Sequence, residues 1–297
     1  MEIMKPGNIP FVVSAESVAS FEPSIEPGGS TNTPELFTDV VIVDLAKSED
    51  FEKQHVAGAR NLSFGRIVRS DEKIGGLLPT TESLQTVLDD LGISANSWIV
   101  VYDQQGNHAA SRFIWTLHAF GCFNCSLLDG GLSAWSAANL PTQSGPATTV
   151  NAVTSPVKLE TNRGNTRTAD ELLTAFANDT QPFLIDARSR KEFDGEDVRA
   201  AHGGHIPGAN WLEWTDLSDP QNYGKLRSDA ELKELFKAIG LSDQQHDQEI
   251  VAYCQTHQRS SLTYVALRHL GYTQAQGLEG AWSEWGNRDD TPKSTTG

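Results

Sequence analysis

Glu249-Ile-Val-Ala-Tyr-Cys254-Gln-Thr-His-Gln-Arg259-Ser-Ser-Leu-Thr-Tyr-Val-Ala-Leu-Arg-His-Leu-Gly271 reads as three pieces in succession. The apolar run Ile250–Tyr253 is too short for a helix and carries no polar alternation, which fits a strand buried on both faces. A polar loop follows, and then apolar residues recur at helical spacing until Gly271, a helix stop. A buried strand feeding a helix through a tight loop is the building unit of an α/β sheet.

The same unit occurs earlier in the chain. Trp98-Ile-Val-Val-Tyr-Asp103 matches Glu249–Cys254, and the likeness extends in both directions. Val41-Ile-Val-Asp44 answers Phe183-Leu-Ile-Asp186, and His55-Val-Ala-Gly58-Ala-Arg-Asn-Leu62 answers His205-Ile-Pro-Gly208-Ala-Asn-Trp-Leu212. Gly121 and Gly271 each lead, 14 residues later, to a tryptophan, Trp135 and Trp285. Two copies at half the chain length mean a duplicated domain, since a solenoid needs more and shorter repeats. Each copy also carries a helical pattern, Thr81–Gly92 and Ser228–Gly240, read as opening on a capping box and closing on glycine. The expected fold is α/β: two tandem domains, each a mainly parallel sheet flanked by helices. Their expected bounds are 10–145 and 161–290, with a linker at 146–160 inside the Pro-, Ser- and Thr-rich stretch from Pro141 to Asn165. Ser20–Pro34 has a similar composition within the first copy and reads as a surface loop.

Composition narrows the function. The 297 residues carry a net charge of -16, which argues against a nucleic-acid partner. An anionic ligand would have to be met by a local basic pocket against the global field. No apolar run approaches the ~20 residues of a membrane helix, and the start has no apolar core of a secretion signal. Three cysteines make no disulfide framework. A cytoplasmic protein with reduced thiols is expected.

In open α/β sheets, ligands collect beyond the carboxyl ends of the strands, and Cys254 stands at one such end. A strand, a tight loop and a helix N-terminus turn several backbone N–H groups toward one point, a nest suited to an anion. With a cysteine at its mouth, the anion is the thiolate. The nest, Arg259 and a protonated His257 would all lower the thiol pKa, giving a sulfur nucleophile that needs no metal or organic cofactor. In the first copy the corresponding residue is Asp103, which is no thiol nucleophile. That domain therefore has the frame without the chemistry, and one site per chain is expected.

The tandem copies, the Gly204-His-Ile-Pro-Gly-Ala-Asn210 segment, the strand ending in cysteine and the closing Leu278-Glu-Gly-Ala-Trp-Ser-Glu-Trp285 resemble the rhodanese family. The likeness is strongest to its bacterial two-domain thiosulfate sulfurtransferases and runs from about Pro10 to Asp290. The resemblance implies that the Cys254 thiolate attacks the outer sulfur of a small anionic donor, thiosulfate, and releases sulfite. The resulting persulfide would be cradled by the loop N–H groups of Gln255, Thr256, His257, Gln258, Arg259 and Ser260, then handed to cyanide, a thiol or a protein acceptor. Arg259 would help to hold the dianionic donor, and His257 would either add charge or face solvent. Arg188, with no basic counterpart after Asp44, is a further candidate for substrate contact. A monomer is expected, because one chain supplies both halves.

Two departures bear on the donor. Gln255 and Thr256 stand where the animal thiosulfate enzymes have basic residues, and Glu192 stands where they have an arginine. The alternative is therefore a 3-mercaptopyruvate sulfurtransferase. A second alternative, a Cys-dependent phosphatase or arsenate reductase, would have Cys-x5-Arg, whereas Cys254 and Arg259 form the tighter Cys-x4-Arg.

Features shared by both copies are read as structural: His55 and His205, Asp44 and Asp186, Trp135 and Trp285. Cys122 and Cys125 form a C-x-x-C near a helix C-terminus, without the second pair that a four-cysteine metal site requires, and are expected to pack. The second copy has eight extra residues between its aspartate and its glycine, Gly195 to His202, which are expected to border the site.

Overall fold

A computed structural model describes residues 9–21, 39–147, 153, 155–244 and 246–295. The surface loop expected at Ser20–Pro34 lies almost wholly outside these residues, and the linker expected at 146–160 lies partly outside them. Contacts divide the chain into two units. The first comprises the residues up to Ile67, Thr80–Thr161 and Asn222–Lys225. The second comprises Val68–Pro79, Asn162–Gln221 and everything from Leu226.

In the first unit, strands β1 (Val12–Val13), β2 (Asp39–Asp44), β3 (Arg60–Asn61), β4 (Ser97–Tyr102) and β5 (Cys125–Leu128) form one sheet in the order β1-β5-β4-β2-β3. Every pairing is parallel. All six residues of β4 are buried, as its unbroken apolar run predicts. Helices α1 (Thr81–Asp90) and α2 (His108–Ala119) belong to this unit. The capping box expected on α1 is absent. Thr80 accepts from the Ser83 N–H, but the residue at that third position is a serine with no carboxylate to reach back.

The second unit repeats the plan. Its strands β6 (Thr166–Arg167), β7 (Phe183–Asp186), β8 (Asn210–Trp211), β9 (Ile250–Tyr253) and β10 (Ala275–Leu278) run in the order β8-β7-β9-β10-β6, again all parallel. Read from the other edge this is the order of the first sheet, so the duplication of sequence is a duplication of topology. The register sets Tyr253, at the end of β9, beside Asp186 at the end of β7. Helices α3 (Ala169–Ala177), α4 (Arg190–Asp194), α5 (Asp229–Ala238) and α6 (Ser260–His269) belong to this unit. Here Thr168, Ser189 and Ser228 each form a full capping box with Glu171, Glu192 and Glu231.

The features common to both copies are the shared hardware of the fold. His55 stacks on Phe51 and pairs through Nδ1 with its carbonyl at 2.8 Å, while His205 does the same with Phe193, also at 2.8 Å. The Tyr102 hydroxyl accepts from the Val56 N–H, and the Tyr253 hydroxyl from that of Ile206. Trp135 and Trp285 donate their indole N–H groups to the carbonyls of Pro141 and Pro292 and otherwise lie in the cores. Each of these buried rings keeps a hydrogen-bond partner, which offsets the cost of taking a polar atom out of water. Among the described residues, no helix is long and apolar enough to cross a membrane.

Candidate active site

The chain leaves the second sheet at Cys254 and re-enters regular structure at Ser260, the first residue of α6. His257 makes the turn possible by taking a left-handed backbone, φ +54°. Its ring lies beneath the loop, fully buried, with Nδ1 at 2.7 Å from the Ser260 hydroxyl. Any side chain at Gly277 of β10 would collide with that ring, so a glycine there is what lets the imidazole in. His257 therefore does not face solvent. On the other side, the Trp282 N–H donates to the Cys254 carbonyl at 3.0 Å and the Ser283 N–H to that of Gln255 at 2.8 Å. The loop is held from both sides before any ligand arrives.

Cys254 is 1% exposed. Burial by itself raises a thiol pKa, yet the Cys254 thiol lies below its ordinary value. The Arg259 charge, the Ser260 hydroxyl and N–H, and the Thr256 N–H together outweigh the loss of water. The other two cysteines show what burial does without such a cradle. The Cys122 thiol is pushed up to about 11, and that of Cys125 well above its ordinary value. Cys125 Sγ sits 3.3 Å from His118 Nε2, packed in the first unit. Of the three thiols, only Cys254 has its pKa lowered, the direction that favours a nucleophilic thiolate.

The first unit shows what this loop geometry is built to hold. Asp103, at the equivalent place, accepts the N–H groups of Gln105 and Asn107 on Oδ1 at 2.7 and 2.9 Å. Its Oδ2 accepts those of Ala109 and Ala110 at 2.8 and 2.9 Å. Four backbone donors converge on one carboxylate, so the side chain itself fills this nest. In the second unit the shorter cysteine side chain takes the same place. The backbone N–H groups of Thr256 and Ser260 are among those that face it.

Arg259 caps the site with its charge already directed. Its two terminal nitrogens grip Glu192 at 2.7 and 2.8 Å, a bidentate pair in which Glu192 is 1% exposed. Glu192 is itself fixed by the Ser189 capping box at the start of α4. Although burial works against its ionisation, the Arg259 bonds hold its pKa down to about 2. Gln255 donates through Nε2 to the Arg199 carbonyl at 3.0 Å, so the extra residues Gly195–His202 do border the loop. Arg199 also brings its guanidinium to 3.8 Å from Glu192 while pairing with Asp197. Comparison of the two copies marks this insertion in the sequence, but not Arg199 as its contribution. Gln258 is half-buried in the loop.

Arg188 lies elsewhere, 1% exposed, with its guanidinium on the Asp186 carboxylate at 2.5–3.1 Å and on the Gly204 carbonyl at 2.7 Å. It stacks over Trp282 at 4.4 Å. Its hydrogen bonds run to protein groups below the loop.

Sequence reasoning missed the segment Val68–Pro79 altogether. Gly75 donates to Ser283 Oγ at 3.1 Å, and the same hydroxyl donates back to the Gly75 carbonyl at 3.0 Å. Gly76, at φ +73°, lies flat against Thr256, where a Cβ would fall 2.7 Å from the Thr256 Cβ and closer still to its carbonyl oxygen. The adjacent pair of glycines is the signal that would have pointed to this close approach. Gly76→Ala should push on Thr256, the residue whose N–H faces Cys254. A side chain at such a backbone costs about 1–2 kcal/mol, and part of that strain should appear as an about three- to tenfold slower alkylation of Cys254 by iodoacetamide at pH 7. An unchanged rate in a folded variant would show that Thr256 is not held by this contact.

Comparison with known proteins agrees with the geometry. A model of the Rhodanese-like domain matches the chain twice, at residues 35–138 and 168–288. The chain is 38% identical over 281 residues to a thiosulfate sulfurtransferase of Azotobacter vinelandii, covering 93% of this chain and 98% of that one. It is 35% identical to a thiosulfate sulfurtransferase of Pseudomonas aeruginosa, over 86% and 90% of the two chains. Its fold superposes on the crystal structure of the 3-mercaptopyruvate sulfotransferase SseA from Escherichia coli with a TM-score of 0.74 and 25% identity, covering 93% of this chain and all of that one (100%).

Proposed function

The chain belongs to the rhodanese family, and on that footing we propose that it is a sulfurtransferase that takes the outer sulfur of thiosulfate onto Cys254. The observation that carries this reading is the contrast among the three thiols. Cys254 alone has its pKa drawn down, in a loop whose counterpart holds a full carboxylate by four N–H groups.

The step balances without a cofactor. The Cys254 thiolate supplies the electron pair for a new S–S bond to the sulfane sulfur. The S–S bond of thiosulfate breaks and its pair leaves on sulfite. The terminal sulfur of the persulfide is then the anion in the nest, facing the loop N–H groups, those of Thr256 and Ser260 among them. Cyanide or a thiolate attacks that sulfur, forms thiocyanate or a new persulfide, and returns Cys254 to the thiolate, a ping-pong cycle. Gln255, His257 and Arg259 complete the loop that binds the donor, His257 from beneath and Arg259 as the cation beside the sulfur. Arg188 serves the same loop through its stack on Trp282. The chemistry suits a monomer in the reducing cytoplasm, with a small sulfur donor and a thiol or protein acceptor as its partners.

A second reading keeps the mechanism and changes the donor to 3-mercaptopyruvate. It is favoured by the carboxylate of Glu192, which lies on Arg259 and leaves less positive charge for a dianion. Intact mass measurement after incubation with each donor separates the two. One added sulfur atom from thiosulfate, removed by cyanide, is the expected result. Sulfur loaded from mercaptopyruvate alone would establish the second reading, and loading from neither would overturn both.

A further inference from the structure

Glu192 is the feature of the site that the chemistry of sulfur transfer does not require. A thiolate nucleophile with an anionic donor calls for positive charge, yet a buried carboxylate is bound to the Arg259 guanidinium beside the sulfur. Nor is it an accidental rotamer. One oxygen, Oε2, accepts the Ser189 N–H at 3.2 Å and its hydroxyl at 3.0 Å as well as Arg259 at 2.7 Å, so the carboxylate is pinned by its own helix cap. The charged groups that face it are Arg259, Arg199 from the insertion, Arg188 below and Glu213 across the turn after β8. Arg199 is itself shared with Asp197.

We propose that Glu192 is a positioning residue that selects the donor by charge: it fixes Arg259 beside Cys254 while cancelling its field, so that monoanionic sulfur donors are favoured relative to dianionic ones. This deepens the sulfurtransferase reading and rests on it for the identity of the donors. The electrostatic argument has a definite form. The repulsion between Glu192 and a bound donor scales with the donor's charge. Removing the charge should therefore improve binding of a dianion by about the square of the factor for a monoanion. At the effective dielectric of a protein site, a unit charge several ångströms from the donor gives factors of a few per unit of donor charge.

Glu192→Gln retains an acceptor for Ser189 and Arg259 and removes the charge, while Glu192→Asp retains the charge. The probes are iodoacetate and iodoacetamide, which alkylate the same thiolate and differ by one negative charge. In Glu192→Gln the ratio of the iodoacetate rate to the iodoacetamide rate, at a pH where Cys254 is fully ionised, should rise about threefold. In Glu192→Asp it should stay at the parent value. The pH profile of iodoacetamide alkylation should also move to lower pH in Glu192→Gln, because one negative neighbour of the thiolate is gone. With the donors themselves, KM for thiosulfate should fall by about an order of magnitude and KM for mercaptopyruvate by about threefold, with kcat changed less. A ratio that does not change, or two alkylation rates that fall together, would reduce Glu192 to a structural cap and overturn the proposal. The alkylation ratio decides this even if neither donor loads sulfur, an outcome that would instead overturn the sulfurtransferase reading.

Discussion

Cys254→Ser is expected to bring sulfur transfer from thiosulfate to cyanide down to the background rate, a loss of at least about a thousandfold, and to abolish sulfur loading by mass. The substitution exchanges one atom in a fully enclosed position, so the loop keeps its shape and the N–H groups their aim. What changes is the nucleophile. An alcohol is a weak nucleophile at its free pKa and needs an adjacent base. His257, the nearest imidazole in the loop, is buried with Nδ1 on Ser260 rather than on residue 254. The thermal midpoint should move little, since the thiol contributes no packing that a hydroxyl near Ser260 cannot replace. Retained loading would place the transferred sulfur on another thiol, and the raised pKa values of Cys122 and Cys125 argue against either. The same variant should retain the cradle of loop N–H groups. It should therefore still bind small anions, and protection of the loop from proteolysis by sulfite would report that.

Much of this arrangement is legible in the chain. The alternation of apolar runs and helical stretches and the internal duplication determine two parallel sheets, because a run buried on both faces can only be covered by helices. The strand-end cysteine and its loop are legible for the same reason, since position along the chain is position at the sheet edge. Four things were not. His257 was read beside Arg259 as a possible cation, but a left-handed backbone turns its ring under the loop against Gly277, and φ cannot be read from a histidine. Arg188 looked available because the first copy lacks it; in the fold it sits on Asp186, two residues away, at the floor of the second unit. Glu192 looked like a missing arginine, and only three-dimensional proximity across 67 residues makes it the partner of Arg259. The Gly75–Gly76 contact with Thr256 is a long-range approach of backbone to backbone, which composition and periodicity do not encode.

The Asp186–Arg188 pair sets the largest expected effect on stability. Both side chains are buried, at 0% and 1% exposure, and three hydrogen bonds join the guanidinium to the carboxylate. Arg188→Ala leaves that carboxylate without its cation and empties the stack over Trp282. Removing one member of a buried pair costs about 3–5 kcal/mol, because the remaining charge stays out of water. The first unit displays the endpoint. Asp44 occupies the matching place beside Ala46 instead of an arginine, and burial raises its carboxyl pKa despite hydrogen bonds from Tyr102, Ala46 and Gln104. Asp186 in the variant should behave likewise. An acid whose folded pKa is raised binds more protons folded than unfolded. The variant's stability should therefore be retained at or below the ordinary carboxylate range and fall as pH rises above it. Urea unfolding followed by tryptophan fluorescence at pH 5 and pH 8 reads both the loss and its pH dependence. The double variant Asp186→Asn with Arg188→Ala should recover a substantial part of the deficit at pH 8, since it removes the stranded charge. Equal deficits in the single and double variants would mean that packing over Trp282, rather than charge pairing, is what Arg188 supplies to the floor of the loop.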